Sequence, residues 1–317
     1  MTSKKSRKVE PDLNGTLEQR ALARLIGNRR TGYDPFYKTN YEYSIPSPGR
    51  YHWQWFWDSC FHIIALARLD PKMAIAELET LLIPQREDGF IGHLTYWGRR
   101  GAAMSVIYGQ SRMGEWRRRH SGMIQPPVIA HALEELWIQT GDSTLLARFL
   151  PKVRAFYKWL GRERDSDGSG LIGIVSPYEA GTDNNPSFDR ALGVSNPGRA
   201  RILWANRKLD WYNIFRGGNF DYRTAIKRNR FVVIDPFMNA VYADAWASIE
   251  KMHTALGEDQ LAASAGKYAA CTTDALNERC WDDQRGHYVY LHGAEQLPDT
   301  TLSVGAIFPL ILSGTPK

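Results

Sequence analysis

Two short stretches carry side chains that could do acid–base or binding chemistry. The first is SPYEAGTDNNPSFD, Ser176 to Asp189, a polar, turn-forming run that holds Glu179, Asp183 and Asp189. Asn184, Asn185 and Pro186 impose a turn directly after Asp183. A carboxylate fixed on such a turn, beside Tyr178, can have a raised pKa and serve as a general acid. It can equally be an Asx-turn carboxylate that caps its own backbone. The second stretch is YHWQWFWDSC, Tyr51 to Cys60, where Tyr51, Trp53, Trp55 and Trp57 alternate and Asp58 follows. Aromatic rings stack on the C–H faces of a pyranose, and a neighbouring acid accepts bonds from its hydroxyls. The same alternation also suits a buried strand, and the stretch alone leaves both readings open.

Two further stretches share a placement with these. GMIQPPVIAHA puts Gln125 just before a proline-initiated helix, and EDGFIGHLTYW puts His93, Tyr96 and Trp97 after an acidic turn. All four stretches lie at helix ends, on loops that can converge on one side of a helical ring. No glycine-rich phosphate loop, GxSxG elbow or HExxH site occurs, and the eight histidines are scattered. No metal and no cofactor is therefore expected.

The elements that must position these loops are helices. Helical spacing runs over 17–29, 59–69, 71–82, 126–141, 143–165, 236–257, 258–281 and 301–312. Pro71 suits a helix start, Gly141 a helix end, and Pro151 marks a break inside 143–165. After three of the helices an acidic or glycine turn leads into a short strand-like piece, at 84–94, 164–175 and 281–291. Paired helices joined by such loops predict an all-α toroid rather than a doubly wound sheet. Residues 184–230, rich in Asn, Arg, Trp and Gly, read as a long loop-like insertion.

Composition narrows the classes. The chain has 317 residues, 43% of them hydrophobic, enough to bury a sizeable core. No run of eighteen apolar residues occurs, so no membrane span is expected. The basic opening MTSKKSRKVEPDLNG lacks the apolar segment of a secretory signal. The three cysteines, Cys60, Cys271 and Cys280, fit reduced thiols in a cytoplasm. Net charge is +6, with basic clusters at Lys4, Lys5, Arg7 and Lys8, at Arg99 and Arg100, and at Trp116 to His120. No nucleic-acid module surrounds these clusters, so a solvated face or a disordered tail is expected and a nucleic-acid partner is not. The positive balance would instead attract an anionic small substrate.

Taken in order, QWFWDSCFHIIAL, DPKMAIAELETLLIPQREDGFIGHLTYW, GMIQPP and SPYEAGTDNNPSFD make the chain similar to glycoside hydrolase family 63. The likeness is greatest to its bacterial mannosylglycerate and glucosylglycerate hydrolases, and runs from about Tyr51 to the C-terminus. The resemblance implies an (α/α)6 toroid and inverting hydrolysis of a small α-glucoside, α-mannoside or oligosaccharide. It implies Asp183, the aspartate of E-x-G-x-D-N-x-P, as general acid. Trp57 and Asp58 would line the sugar subsite, and Tyr51, Trp55 and Gln125 would lie nearer the aglycone. Gly181 would meet a conformational requirement beside the acid, and Arg216 and Tyr222 would match an arginine and a tyrosine used by the glycerate-specific enzymes. Tyr178, Ala180 and Thr182 depart from the residues usual in the family.

An inverting glycosidase needs a second carboxylate as base. The resemblance places it near the C-terminal end of the barrel, whereas about nine helix-like segments here compare with twelve in a complete one. The expected organisation is a disordered basic tail over 1–15 and a glycosidase domain over 16–317 that lacks its last helices, with the base beyond Lys317. Neither Glu278 nor Glu295 has the surroundings of a base. The competing reading is a catalytically inactive carbohydrate-binding relative, or a gene fragment. The oligomeric state is not legible.

Overall fold

The computed structural model describes residues 15–49, 51–99, 119–194 and 198–316. The tail expected over 1–15, Arg100, and Trp116 to Arg118 of the basic run fall outside these, apart from Gly15. Arg119 is described, and it is no free surface cation. Its guanidinium lies 3.0 Å from the wholly buried Asp34, whose carboxylate also accepts the Phe36, Tyr37 and Gly98 N–H groups.

The chain starts with α1 (Leu17–Asn28), opened by a capping box in which Thr16 and Gln19 satisfy each other's backbone N–H. A hairpin of β1 (Arg29–Asp34) and β2 (Thr39–Ser44) follows, which the helical reading of the sequence does not include. Buried Glu77 ties it down by accepting the Ser44 N–H at 3.1 Å.

Three helical hairpins form the body of the molecule: α2 (Phe56–Leu69) with α3 (Pro71–Leu82), α4 (Ile129–Thr140) with α5 (Ser143–Arg164), and α8 (Pro236–Ala255) with α9 (Asp259–Arg279). Local chemistry sets the turns. Asp70 caps α3 through the Met73 N–H with Pro71 at its first position, and Gly141 ends α4 in the left-handed conformation at φ 65°. α2, α4 and α8 pack side by side in turn, each backed by the helix that follows it. Ile63, Leu66, Leu78, Leu133, Leu146, Phe156 and Trp246 are buried in the one core that runs through all three pairs. Each such side chain contributes about 1.5–3 kcal/mol by leaving water. This is the expected all-α toroid of paired helices.

Strands are short, and every strand pairing among the described residues is antiparallel. β3 (Gln54–Trp55) pairs with β4 (Leu94–Thr95). The largest sheet joins β5 (Gly173–Ile174), β6 (Val233–Ile234), β9 (Tyr290–His292) and β10 (Leu297–Asp299). β7 (Trp281–Asp282) and β8 (His287–Tyr288) close a small hairpin after α9.

Three expectations are corrected. Pro151 does not break its helix: α5 is continuous. The cost of a proline inside a helix, about 3 kcal/mol, is offset by burial of Leu145, Leu146, Phe149, Leu150, Val153, Phe156 and Leu160 along the same helix. Residues 301–312 form no α-helix but two short 3₁₀ turns, Val304–Ala306 and Phe308–Ile311. Gly305 lies hard against the Tyr290 phenol, and Val304, Leu310 and Ile311 of these turns stay exposed. The stretch 184–230 is not mainly loop. It holds α6 (Arg199–Phe215) and α7 (Tyr222–Lys227). The apolar stripe on α6 is poor, with Trp204 and Trp211 exposed, which is why its sequence lacks a helical period.

The strand leading to the Ser176–Asp189 loop is held from the side. Asn239 of α8 accepts the Ile172 N–H at 2.7 Å and returns an N–H to the Ile172 carbonyl at 2.9 Å, while wholly buried itself. Asn239→Ala leaves both Ile172 groups unpaired. It is expected to lower stability by about 2–4 kcal/mol in denaturant titration, and a change under ~1 kcal/mol would show that this clamp is not needed.

Candidate active site

The loops that precede and follow the helical hairpins are joined by backbone hydrogen bonds. The Phe56 N–H donates to the His93 carbonyl at 2.9 Å, and the His93 N–H to the Met123 carbonyl at 2.8 Å. The β3–β4 pairing adds to the same junction. α2 starts with no side-chain cap of its own at Trp55. Gln125 supplies one from a distant loop, its Oε1 accepting the Trp57 N–H at 3.1 Å. The amide NH2 of Gln125 takes no part in this bond.

Glu179 completes the linkage. It is wholly buried, and Arg164 at the end of α5 meets it with two nitrogens, at 2.8 and 2.7 Å. The same carboxylate accepts the Ile124 N–H at 3.1 Å and the Val175 N–H at 2.8 Å. Of the three acids in the stretch, Glu179 is therefore a structural anchor. Ser176 caps the 3₁₀ turn Pro177–Glu179, and Asn185 caps the next, Pro186–Phe188, while its amide reaches Tyr290 Oη at 2.9 Å. Between these turns Gly181 has φ +69°, and a Cβ there would lie 2.5 Å from the Trp57 ring. Only glycine allows this backbone to lie against that tryptophan.

These constraints enclose a cavity of about 640 Å³ lined by Pro46, Tyr51, Trp55, Trp57, Asp58, His93, Met123, Gln125, Tyr178, Gly181, Asp183 and Asp210. Tyr51, Trp55, Trp57, Asp58, His93, Gln125, Tyr178, Gly181 and Asp183, all singled out by sequence, meet here from loops far apart in the chain. Trp55 stands edge-on to both Tyr51 and His93, with ring centroids at 5.5 and 5.4 Å. Its indole N–H is buried with no partner among the described residues. The alternation of aromatics does not persist as a strand. β3 ends at Trp55, Trp57 already belongs to α2, and Trp53 turns away to stack edge-on with Tyr96. Tyr96 and Trp97 are core residues, and Trp97 donates to Gln54 at 2.7 Å.

Burial governs ionisation in the cavity. It raises the pKa of Asp183, against the pull of its own backbone N–H. It raises that of Asp58 too, opposed by the His62 charge, the Asp58 backbone and the Trp57 side chain. It pushes Asp210 up to about 7 and takes His93 down to about 3. His93 is thus neutral at physiological pH and hydrogen-bonds Ser121. Among the described residues, no group of three His, Cys, Asp or Glu side chains could hold a metal ion.

Arg216 and Tyr222 are not brought to this cavity. Arg216 follows the last turn of α6, more than a turn beyond Asp210 and rotated away from it. Its guanidinium lies 5.0 Å over the exposed Trp211 ring, on a separate cavity of about 880 Å³. Tyr222 opens α7 and is buried in an apolar cluster, with its ring against Gly173 behind the acid-bearing loop. Conversely, the sequence reading passes over Asp210. Its one signal is an acid next to a tryptophan, Asp210-Trp211, the same pair as Trp57-Asp58 in reverse order.

Loss of Arg164 tests the anchor. Arg164→Met leaves the Glu179 carboxylate buried without its cation, and a loss of about 3–5 kcal/mol is expected in guanidinium unfolding. Stability within ~1 kcal/mol of wild type would mean that the backbone N–H groups alone hold Glu179.

Residues 51–317 match the family described as the mannosylglycerate hydrolase MGH1-like glycoside hydrolase domain. A mannosylglycerate hydrolase of Selaginella moellendorffii is 35% identical over 156 residues, 47% of this chain and 31% of that protein. The mannosylglycerate hydrolase of Thermus thermophilus is 28% identical over 252 residues, 68% of this chain and 58% of that protein. The chain thus spans less than two thirds of the length of these relatives. Among solved structures, a family 63 mannosylglycerate hydrolase of Thermus thermophilus, in complex with Tris and D-glycerate, superposes with a TM-score of 0.78 at 26% identity, covering 95% of this chain and 74% of that one.

Proposed function

This chain belongs to the mannosylglycerate hydrolase MGH1-like family of glycoside hydrolases, and from that we propose that it acts on a small α-linked mannoside or glucoside, of the mannosylglycerate or glucosylglycerate kind, by inversion with Asp183 as general acid. The observation that carries the reading is the meeting of Trp55, Trp57, Asp58, Gln125 and Asp183 in one cavity. In this reading the sugar lies against the tryptophan faces. The Asp58 carboxylate accepts from a pair of hydroxyls, and the Gln125 NH2 and Trp55 indole N–H donate to ligand oxygens. Tyr51, nearer the mouth, meets the aglycone. Asp183 protonates the glycosidic oxygen as the bond breaks, a task that needs its acid form at working pH.

Burial of Asp183 serves that task. A carboxyl whose pKa is raised above the ordinary 3.8 keeps its proton further toward neutrality. The sign of the pH dependence follows. Turnover that needs the protonated acid falls as pH rises through the folded-state pKa of Asp183, and Asp183→Asn should abolish that alkaline limb. The three cysteines, read as reduced thiols, support a cytoplasmic location. Among the described residues, no helix is long and apolar enough to cross a membrane.

Two variants separate acid from binding residue. In a longer polypeptide that also carries the general base, Asp183→Asn should lower kcat by about 10²–10⁴-fold on an α-mannoside whose leaving group needs protonation, with little change in product affinity. Asp58→Ala should weaken substrate and product alike, because ligand hydroxyls lose their acceptor. Near-normal kcat in Asp183→Asn would remove it from the role. In that longer polypeptide, wild-type sugar binding with no hydrolysis of any α-glycoside would favour the reading of an inactive carbohydrate-binding relative.

A further inference from the structure

Two residues of the cavity, Pro46 and Asp210, come from none of the four loops that the sequence singles out, and of these only Asp210 carries a polar side chain. Asp210 stands within α6, and among the described residues of that helix it alone lines the cavity. Its Oδ1 is buried with no hydrogen-bond partner among the described residues. Asn206 and Asn213 lie one turn before and after it on the same face. They are 1% and 3% exposed, and each also has a buried polar atom without a partner, Oδ1 of Asn206 and Nδ2 of Asn213. A buried polar group costs free energy unless something meets it. Of the three, the Asp210 carboxylate opens into the sugar-sized cavity, and its unmet buried oxygen calls for a hydroxyl donor there.

Resting on the glycosidase reading, we infer that Asp210 is a second hydroxyl-binding carboxylate of the site, directly touching the ligand on the side of Tyr178. The placement follows from the neighbours. The Tyr178 phenol is made harder to ionise first by burial, then by the Asp210 charge and the Asp183 charge, while Arg207 acts the other way. Asp210 therefore shares the Tyr178 side with the proposed acid, whereas Asp58 sits at the start of α2 beside Trp57. A carboxylate offers acceptor sites for the O–H donors of a polyol and none for an aglycone carboxylate, so it selects hydroxyl-bearing ligand parts. The hydroxyls it meets belong either to the sugar ring or to the aglycone.

Its ionisation gives a distinct readout. Burial pushes Asp210 up to about 7. Burial is the one cause of that rise; Tyr178 feels the charges of Asp210, Asp183 and Arg207, and Asp183, His93 and Asp58 line the same cavity. His93 titrates near 3 and so does not contribute in the neutral range. Hydroxyl donors bind the ionised acceptor more strongly. Affinity for a neutral ligand should therefore rise as pH increases through about 7.

The test is titration calorimetry on the full chain with methyl α-D-mannopyranoside, methyl α-D-glucopyranoside and glycerol as separate probes, across about 1.5 pH units on either side of the Asp210 pKa, for wild type, Asp210→Asn and Asp210→Ala. The expected result is a loss of affinity of about 10- to 100-fold in the Ala variant, together with loss of the neutral-range pH dependence in both variants. A loss confined to the glycosides places Asp210 on the sugar, and one confined to glycerol places it on the aglycone. Folding is followed by far-UV circular dichroism, and Asp210→Asn, which keeps the shape, stands if the Ala variant unfolds. Wild-type affinity and an unchanged pH profile in Asp210→Asn would overturn the inference and leave the glycosidase reading intact. Failure of the wild-type chain to bind any of the probes would overturn both.

Discussion

Glu179 lies wholly inside the protein, and its carboxylate is met by Arg164 through two nitrogens and by the backbone N–H groups of Ile124 and Val175. A charge so placed is tolerable only when its lone pairs are nearly all satisfied. Here the satisfaction comes from three separate pieces of chain: the end of α5, the loop before α4, and the strand that leads into the acid-bearing loop. The ion pair therefore does more than stabilise. It fixes where the loop holding Asp183 sits relative to the loop holding Gln125. Gln125 in turn caps α2 at Trp57, and His93 bridges the Phe56 and Met123 backbones. Displacement at Glu179 would pass along this series to Trp57 and Asp58, because each link satisfies a buried or orphaned backbone donor.

The rigid part and the binding part of the cavity divide by chemistry. Backbone groups and Glu179 are paired within the protein. In the cavity the Trp55 indole N–H and Asp210 Oδ1 are buried without a partner among the described residues, and the carboxyls of Asp58 and Asp183 line the same space. Burial raises the pKa of all three of these acids. Holding three ionisable groups in such surroundings costs stability at neutral pH, since each would ionise freely in the unfolded chain. The helical core, with its buried residues on α5 and α8, offsets that cost. α6 contributes less, since few of its apolar side chains are buried.

Legibility in the sequence follows the same division. The helical hairpins can be read because each buries a regular apolar stripe and ends on a Gly, Asp or Pro with a defined turn role. The loops can be read because Asp183 follows Glu179 and Gly181 at a fixed spacing, and because Trp57-Asp58 sits at a helix start. Three features escape such a reading. Pro151 reads as a stop, since local propensity does not register the apolar burial that holds α5 together. α6 shows no period, because its buried face is polar, Asn206 and Asn213, and its exposed face carries Trp204 and Trp211. Asp210 is lost with it. Arg216 and Tyr222 match by residue type in that same stretch, where position along a helix decides direction. Arg216 points toward Trp211 and Tyr222 packs on Gly173.

The central claim is that one cavity, held by Glu179, presents Asp183 to the glycosidic oxygen of an α-glycoside whose sugar rests on Trp57 and Asp58. The most direct measurement is a crystal structure of the full polypeptide with an unhydrolysed α-mannoside, trapped in the Asp183→Asn variant. The account predicts the pyranose against Trp57, a hydroxyl pair within hydrogen-bond distance of Asp58, and the glycosidic oxygen within about 2.6–3.2 Å of the residue 183 side chain. Sugar density on another face of the molecule, or in this cavity with the glycosidic oxygen turned away from residue 183, would contradict it.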